Sequence, residues 1–96
     1  MAITSKQRAT LRSMANTMDT ILYVGKDGVT PNTIREAYDA LEARELIKCC
    51  VQQGAPVDAR EACQLVCEQT GAEPVQCIGR RFVMYRESNT NKKIEL

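Results

Sequence analysis

Gly25-Lys26-Asp27-Gly28 sets a lysine between two glycines, directly after the apolar run at residues 21–24 and just before Thr30-Pro31. Glycine has no Cβ, so the backbone at both ends of this stretch can approach another molecule closely. Thr30 is a good N-cap, and Pro31 suits a first helical position, where its missing N–H would have no intrahelical partner. The predicted order is therefore strand, loop, helix. A helix N-terminus carries partial positive charge and Lys26 adds a full one, so the stretch offers a grip for a phosphate. Asp27-Gly28 also fits an ordinary turn, and turn chemistry alone accounts for both glycines. The spacing is not that of a P-loop, whose Lys and Ser/Thr follow the second glycine.

The surrounding elements read from periodicity and caps. A first helix is predicted over residues 5–16, capped by Thr4 or Ser5, with Leu11, Met14, Ala15 and Met18 as its apolar stripe. Residues 21–24 form a short strand. A second helix over 31–44 buries Ile34, Ala37, Tyr38 and Leu41. A strand follows at 46–52, with Ile47, Cys49 and Val51 on one face and Lys48 and Cys50 on the other. Asp58 and Glu61 make a capping-box variant that opens a third helix, which Gly71 ends. Its stripe of Ala59, Ala62, Cys63, Val66 and Cys67 is narrow enough to lie close to a sheet. Strands at 75–78 and 82–85 flank a tight Gly79-Arg80-Arg81 turn.

This order, αβαβαββ, implies an α/β domain of α+β two-layer type. Right-handed crossovers make three strands parallel in direction, and the last hairpin adds one antiparallel strand to a mixed four-stranded sheet. Ile21, Tyr23, Phe82 and Met84 suggest apolar material on the second sheet face, partly covered by the first helix. The domain is expected over residues 1–87, with 88–96 as a mobile polar tail.

Ninety-six residues with a net charge of +1 suit one globular domain. The charge is uneven. Residues 1–30 hold four basic and two acidic groups, net +2; residues 31–75 hold four and eight, net −4; residues 76–96 hold five and two, net +3. If the basic ends meet, they form a patch backed by an acidic surface, which would orient the domain on a polyanion. The same charges also fit a role in solubility alone.

No apolar run reaches the ~18 residues of a membrane span, and the first twelve residues lack a signal-peptide core, so a cytoplasmic location is expected. Five cysteines, an odd number without a C-x-x-C pair, argue against a disulfide framework. Without histidine a metal centre would need thiolates that these spacings do not gather, so neither metal nor cofactor is expected. Cys49, Cys63, Cys67 and Cys77 are expected to be buried and Cys50 to be the most exposed. Catalysis finds little support, because no second group is fixed beside Asp27 and Lys26.

Three stretches together carry a family resemblance: Gly25-Lys26-Asp27-Gly28-Val29-Thr30 after an apolar strand, Ala40-Leu41-Glu42-Ala43-Arg44-Glu45-Leu46-Ile47-Lys48, and Gln76-Cys77-Ile78-Gly79-Arg80-Arg81-Phe82-Val83-Met84-Tyr85-Arg86. With Thr4-Ser5-Lys6-Gln7-Arg8 and Leu11-Arg12, they resemble the CRM (chloroplast RNA splicing and ribosome maturation) family, in its stand-alone bacterial YhbY type, over roughly residues 4–86. The resemblance implies a fold similar to the C-terminal domain of translation initiation factor three. It implies a G-x-x-G loop similar to that of KH domains, which clamps nucleic-acid backbone. It implies RNA binding and, for single-domain bacterial members, association with ribosomal RNA in precursors of the large subunit, where ribosomal proteins are further candidate partners. Carried over position by position, Gly25, Lys26, Asp27 and Gly28 form the contact loop. Arg8, Arg12, Lys48, Arg80, Arg81 and Arg86 are candidate phosphate or base contacts, with Arg80 and Arg81 favoured at an exposed hairpin tip. Tyr23 and Tyr85 fit base stacking, but fit the core better. The alternatives are a protein-interaction module using the acidic face and a small phosphate-ligand enzyme.

Overall fold

Each of the three helices among the described residues starts where a side chain satisfies an otherwise free amide. The fold is that of a computed structural model, which describes residues 3–90 and 92–96. In α1 (Ser5–Ala15), Thr4 accepts from the Gln7 amide while the Gln7 side chain accepts from the Thr4 amide. In α2 (Pro31–Arg44), Thr30 and Thr33 do the same. In α3 (Ala59–Thr70), Asp58 and Glu61 close the box, and the carboxylate also complements the positive end of the helix dipole. Gly71, at φ 78°, ends α3 with its N–H on the Cys67 carbonyl.

Four strands, β1 (Leu22–Val24), β2 (Leu46–Val51), β3 (Glu73–Ile78) and β4 (Arg81–Tyr85), form a sheet in the order β1-β2-β4-β3. β1 runs parallel to β2, while β4 is antiparallel to both β2 and β3. Three strands thus share a direction with β4 antiparallel to them, as the element order implies, and β4 lies between β2 and β3. Pro74 lies in β3, an edge strand, and a register shift between Pro74 and Gln76 marks a bulge.

The main core lies between the sheet and α2 and α3. Leu22, Val24, Ile47, Cys49, Val51, Phe82 and Met84 meet Ala37, Leu41, Ala62 and Val66 there. A smaller core lies on the other face, where Leu11 and Ala15 of α1 cover Leu46, Val75, Val83 and Tyr85. Phe82 and Met84 therefore do not belong to the second face, as the sequence suggested. They pair with Cys49 and Ile47, and paired residues share a face. Tyr23 does lie on the second face, opposite Cys50, but it is exposed and outside the core that α1 covers.

The cysteines also differ from expectation. Cys77 is exposed while Cys50 is half-buried, because Cys77 sits at the outer edge of the sheet whereas Cys50 has strands on both sides. Burial pushes the Cys49 thiol well above its ordinary range. No described helix is long and apolar enough to cross a membrane.

The segment after β4 was expected to be loose. Instead its described residues fold back over Glu45, the residue between α2 and β2. Glu45 is fully buried and has a φ of 66°. Its carboxylate accepts from the amides of Ser88, Lys93 and Ile94, and its carbonyl accepts from the Arg86 amide. Ile94 packs against the smaller core. A polar composition concealed this, since the anchors are backbone amides that every sequence has.

Candidate functional site

The 25–28 loop turns tightly, with the Gly28 N–H donating to the Gly25 carbonyl at 2.9 Å. Gly28 has a φ of +72°, and a Cβ there would lie 3.0 Å from Pro56 Cγ. Conformation and space both demand glycine at this position. Gly25 is less constrained, because its Cβ would meet only the movable end of Gln52 at 3.2 Å. The loop is braced from below, where the Gln52 amide donates to the Val24 carbonyl at 2.8 Å. Lys26 and Asp27 point outward at the tip, both exposed.

The N-terminus of α2 contributes less hydrogen bonding than its sequence suggested. Pro31 has no N–H, and the Thr30–Thr33 box occupies the Thr30 and Thr33 amides. The helix gives the loop a favourable field rather than an open row of donors. Lys26 and the loop backbone are left to meet an anion.

The sheet topology brings the β3–β4 turn to the same end. β1 and β2 finish there, β4 starts there, and the Val51 amide donates to the Arg80 carbonyl at 2.7 Å. Arg80 and Arg81 are both exposed on this turn. Among the described residues, Lys26, Arg12, Arg80 and Arg81 enter no ion pair.

Arg8, Lys48 and Arg86 are engaged by the protein's own groups. Arg8 Nε donates to the Pro74 carbonyl at 3.2 Å and ties α1 to β3. Lys48 Nζ donates to the carbonyls of Ala15 and Met18 at 3.1 and 3.3 Å, so it caps the negative end of α1. Arg86 lies at the opposite end of the sheet. Its guanidinium donates to the Thr70 carbonyl at 3.1 Å, pairs with Glu42 at 3.1 Å, and sits 4.4 Å from the Tyr38 ring centroid. The Asn89 amide and the nearby Arg86 hold the Glu42 carboxyl below its ordinary range. Arg12 stays exposed, one helical turn before Asn16 and hence on the same stripe of α1.

Beside Arg81 and Tyr23, both weighed as contacts from the sequence, the site gathers Cys50 and Ile78, which were not. Tyr23, Cys50, Arg81 and Ile78 stand opposite one another across all four strands, on the same sheet face as α1 but outside the core that it covers. Tyr23 is 56% exposed and Ile78 65% exposed. Beside this row is a shallow groove lined by Asn16, Lys48, Gln76, Ile78, Arg81 and Val83. The alternation Leu22–Tyr23–Val24 held the signal for Tyr23, because two aliphatic neighbours facing the core turn the ring the other way. Nothing in the local sequence of Ile78 shows that it lies outside the core that α1 covers.

With this geometry in view, the likeness to known proteins is extensive. A Bacillus subtilis (strain 168) protein named Probable RNA-binding protein YqeI is 43% identical over 94 residues, covering 98% of either chain. A Haemophilus influenzae protein named RNA-binding protein is 31% identical over 91 residues, covering 94% of this chain and 91% of its own. The solution structure of the hypothetical protein SAV1595 from Staphylococcus aureus superposes with a TM-score of 0.82 at 45% identity, over 99% of both chains. The family model for the CRS1/YhbY (CRM) domain matches residues 3–86, which include the loop, the hairpin and the helices that frame them. The chain therefore belongs to the CRS1/YhbY (CRM) domain family.

Proposed function

We propose that this protein binds RNA through the end of the sheet that holds the 25–28 loop and the Arg80–Arg81 turn, and that it acts on ribosomal RNA during assembly of the large subunit. One observation carries the reading: among the described residues, Lys26, Arg80 and Arg81 enter no ion pair, and they stand with a glycine turn at one end of the sheet. Arg8, Lys48 and Arg86 are meanwhile bound to the protein's own carbonyls and carboxylates. Cations left unneutralised at one end make that end attractive to a polyanion. The relatives named as RNA-binding proteins support the choice of RNA. The ribosomal assignment rests on the family resemblance.

In this reading the loop holds phosphate, and phosphate contacts position a protein without reading sequence. Lys26→Glu should therefore weaken binding to all RNAs alike, by about tenfold, the loss of one charge-assisted contact. Gly28 is unsuitable as a test, since any side chain there strains the loop. The test is co-sedimentation of tagged wild-type and Lys26→Glu protein with ribosomal particles from cell extracts, with crosslinked RNA sequenced from each fraction. Wild-type protein is expected in large-subunit precursors, with the variant depleted from them. Equal recovery of a folded Lys26→Glu variant from the same particles would contradict the loop's role.

A further inference from the structure

We propose that the uncovered half of the sheet seats unpaired bases next to the backbone held by the loop, so that the protein's ligand is single-stranded rather than duplex RNA. This inference rests on the RNA-binding reading above and names the class of RNA. α1 covers Leu46, Val83 and Tyr85, and its last carbonyls are capped by Lys48. The next row toward the loop, Tyr23–Cys50–Arg81–Ile78, lies outside that core, with Tyr23, Arg81 and Ile78 exposed and Cys50 half-buried. Three interstrand spacings of about 4.8 Å make this strip roughly 14 Å long. Tyr23 lies two residues before Gly25, so a ring able to stack stands directly beside the loop.

The chemistry of the strip selects the occupant. A tyrosine ring and a guanidinium plane are both stacking surfaces for a flat base, and the aliphatic Ile78 closes the far end. The groove alongside carries the side-chain amides of Asn16 and Gln76, each able to donate and accept at a base edge. No acidic side chain lies in the row or lines the groove. An apolar protein segment would have to bury Arg81 unpaired at the centre of the strip, at a cost in desolvation. A nucleotide supplies phosphate for Arg81 and Lys26 together with a base for Tyr23. Duplex RNA keeps its bases stacked inside and presents little to these side chains beyond backbone.

The test measures anisotropy of a labelled mixed-sequence 12-nucleotide RNA, alone and annealed to its complement in a blunt duplex. The proteins are wild type, Tyr23→Ala, Tyr23→Trp and Lys26→Glu, each first shown to keep the wild-type far-UV spectrum. Wild type should bind the single strand about tenfold more tightly than the duplex, and Tyr23→Ala should lose roughly that factor on the single strand alone. Tyr23→Trp should retain affinity, and its emission should be quenched on saturation with single strand but not with duplex. Lys26→Glu should weaken both ligands. If Lys26→Glu weakens both while Tyr23→Ala changes neither, the base platform is wrong and the backbone grip stands. If Lys26→Glu changes neither, the grip itself fails. Equal affinity of wild type for duplex and single strand would likewise overturn the proposal.

Discussion

The two ends of α2 present the same kind of chemistry in opposite states. At its C-terminal end a carboxylate, Glu45, is fully enclosed and held by three backbone amides, while Arg86 is clamped between Glu42, the Thr70 carbonyl and the Tyr38 ring. At its N-terminal end Lys26 is unpaired, and Arg80 and Arg81 stand unpaired at the same end of the sheet. One end supplies both partners of each interaction from within the chain. At the other, among the described residues, the three cations have no such partner. Charge alone therefore does not separate structural from functional residues in this protein; what separates them is whether the chain also provides the hydrogen-bonding or charged partner.

Substitutions at the closed end should cost stability and leave RNA affinity per folded molecule unchanged. The largest effect is expected for Glu45→Ala. It leaves three amides without their acceptor, which should cost about 3 kcal/mol or more and lower Tm by more than about 10 °C in a domain of this size. Arg86→Ala should follow at about 2 kcal/mol, from the lost carbonyl contact and the ring contact in a half-buried site. Away from that end, Lys48→Met keeps the apolar stem but removes the cap on α1, and should cost about 1 kcal/mol of stability. Thermal melts check all three, and RNA titrations check the first two, since Lys48 also lines the open groove. A loss of RNA affinity in folded Arg86→Ala as large as that from an open-end substitution would erase the distinction between the ends.

Acid sharpens the same contrast. Burial opposes ionisation of Glu45, but the three amide donors outweigh it and hold its carboxyl below the ordinary value of 4.5. A depressed folded pKa means its stabilisation is complete above about pH 4.5. The stabilisation is lost as pH falls further, through the folded value. Tm of the wild type should fall in that window, and Glu45→Gln should show a flatter profile. Parallel profiles for the two proteins would show that the carboxylate does not carry this stability.

Much of the frame was legible because local chemistry dictates it. Thr30-Pro31, Asp58 with Glu61, and Gly71 mark helix ends through side-chain and backbone rules that act over a few residues. Element order then implied one antiparallel strand, while its place between β2 and β3 came only from the structure. The roles of the cations were less legible, since nothing near Lys48 in sequence indicates that its ammonium reaches the end of α1, 30 and 33 residues away. Tyr23 was misjudged for a related reason. Its burial depends on where α1 stops, a matter of tertiary packing rather than of strand period. Glu45 was hidden because its partners are backbone amides more than 40 residues ahead.

The central claim is that the open end meets phosphate and the closed end does not. The most direct test compares the salt dependence of RNA affinity after removing cations at each end, using one single-stranded RNA and the proteins wild type, Arg80→Ala/Arg81→Ala and Arg86→Ala. Each phosphate contact on single-stranded RNA contributes roughly 0.7 to the slope of log affinity against log salt. The account predicts a slope shallower by up to roughly 1.4 for the open-end pair, and a wild-type slope for folded Arg86→Ala. An unchanged slope for the open-end pair, or an equal flattening per charge at the closed end, would contradict it.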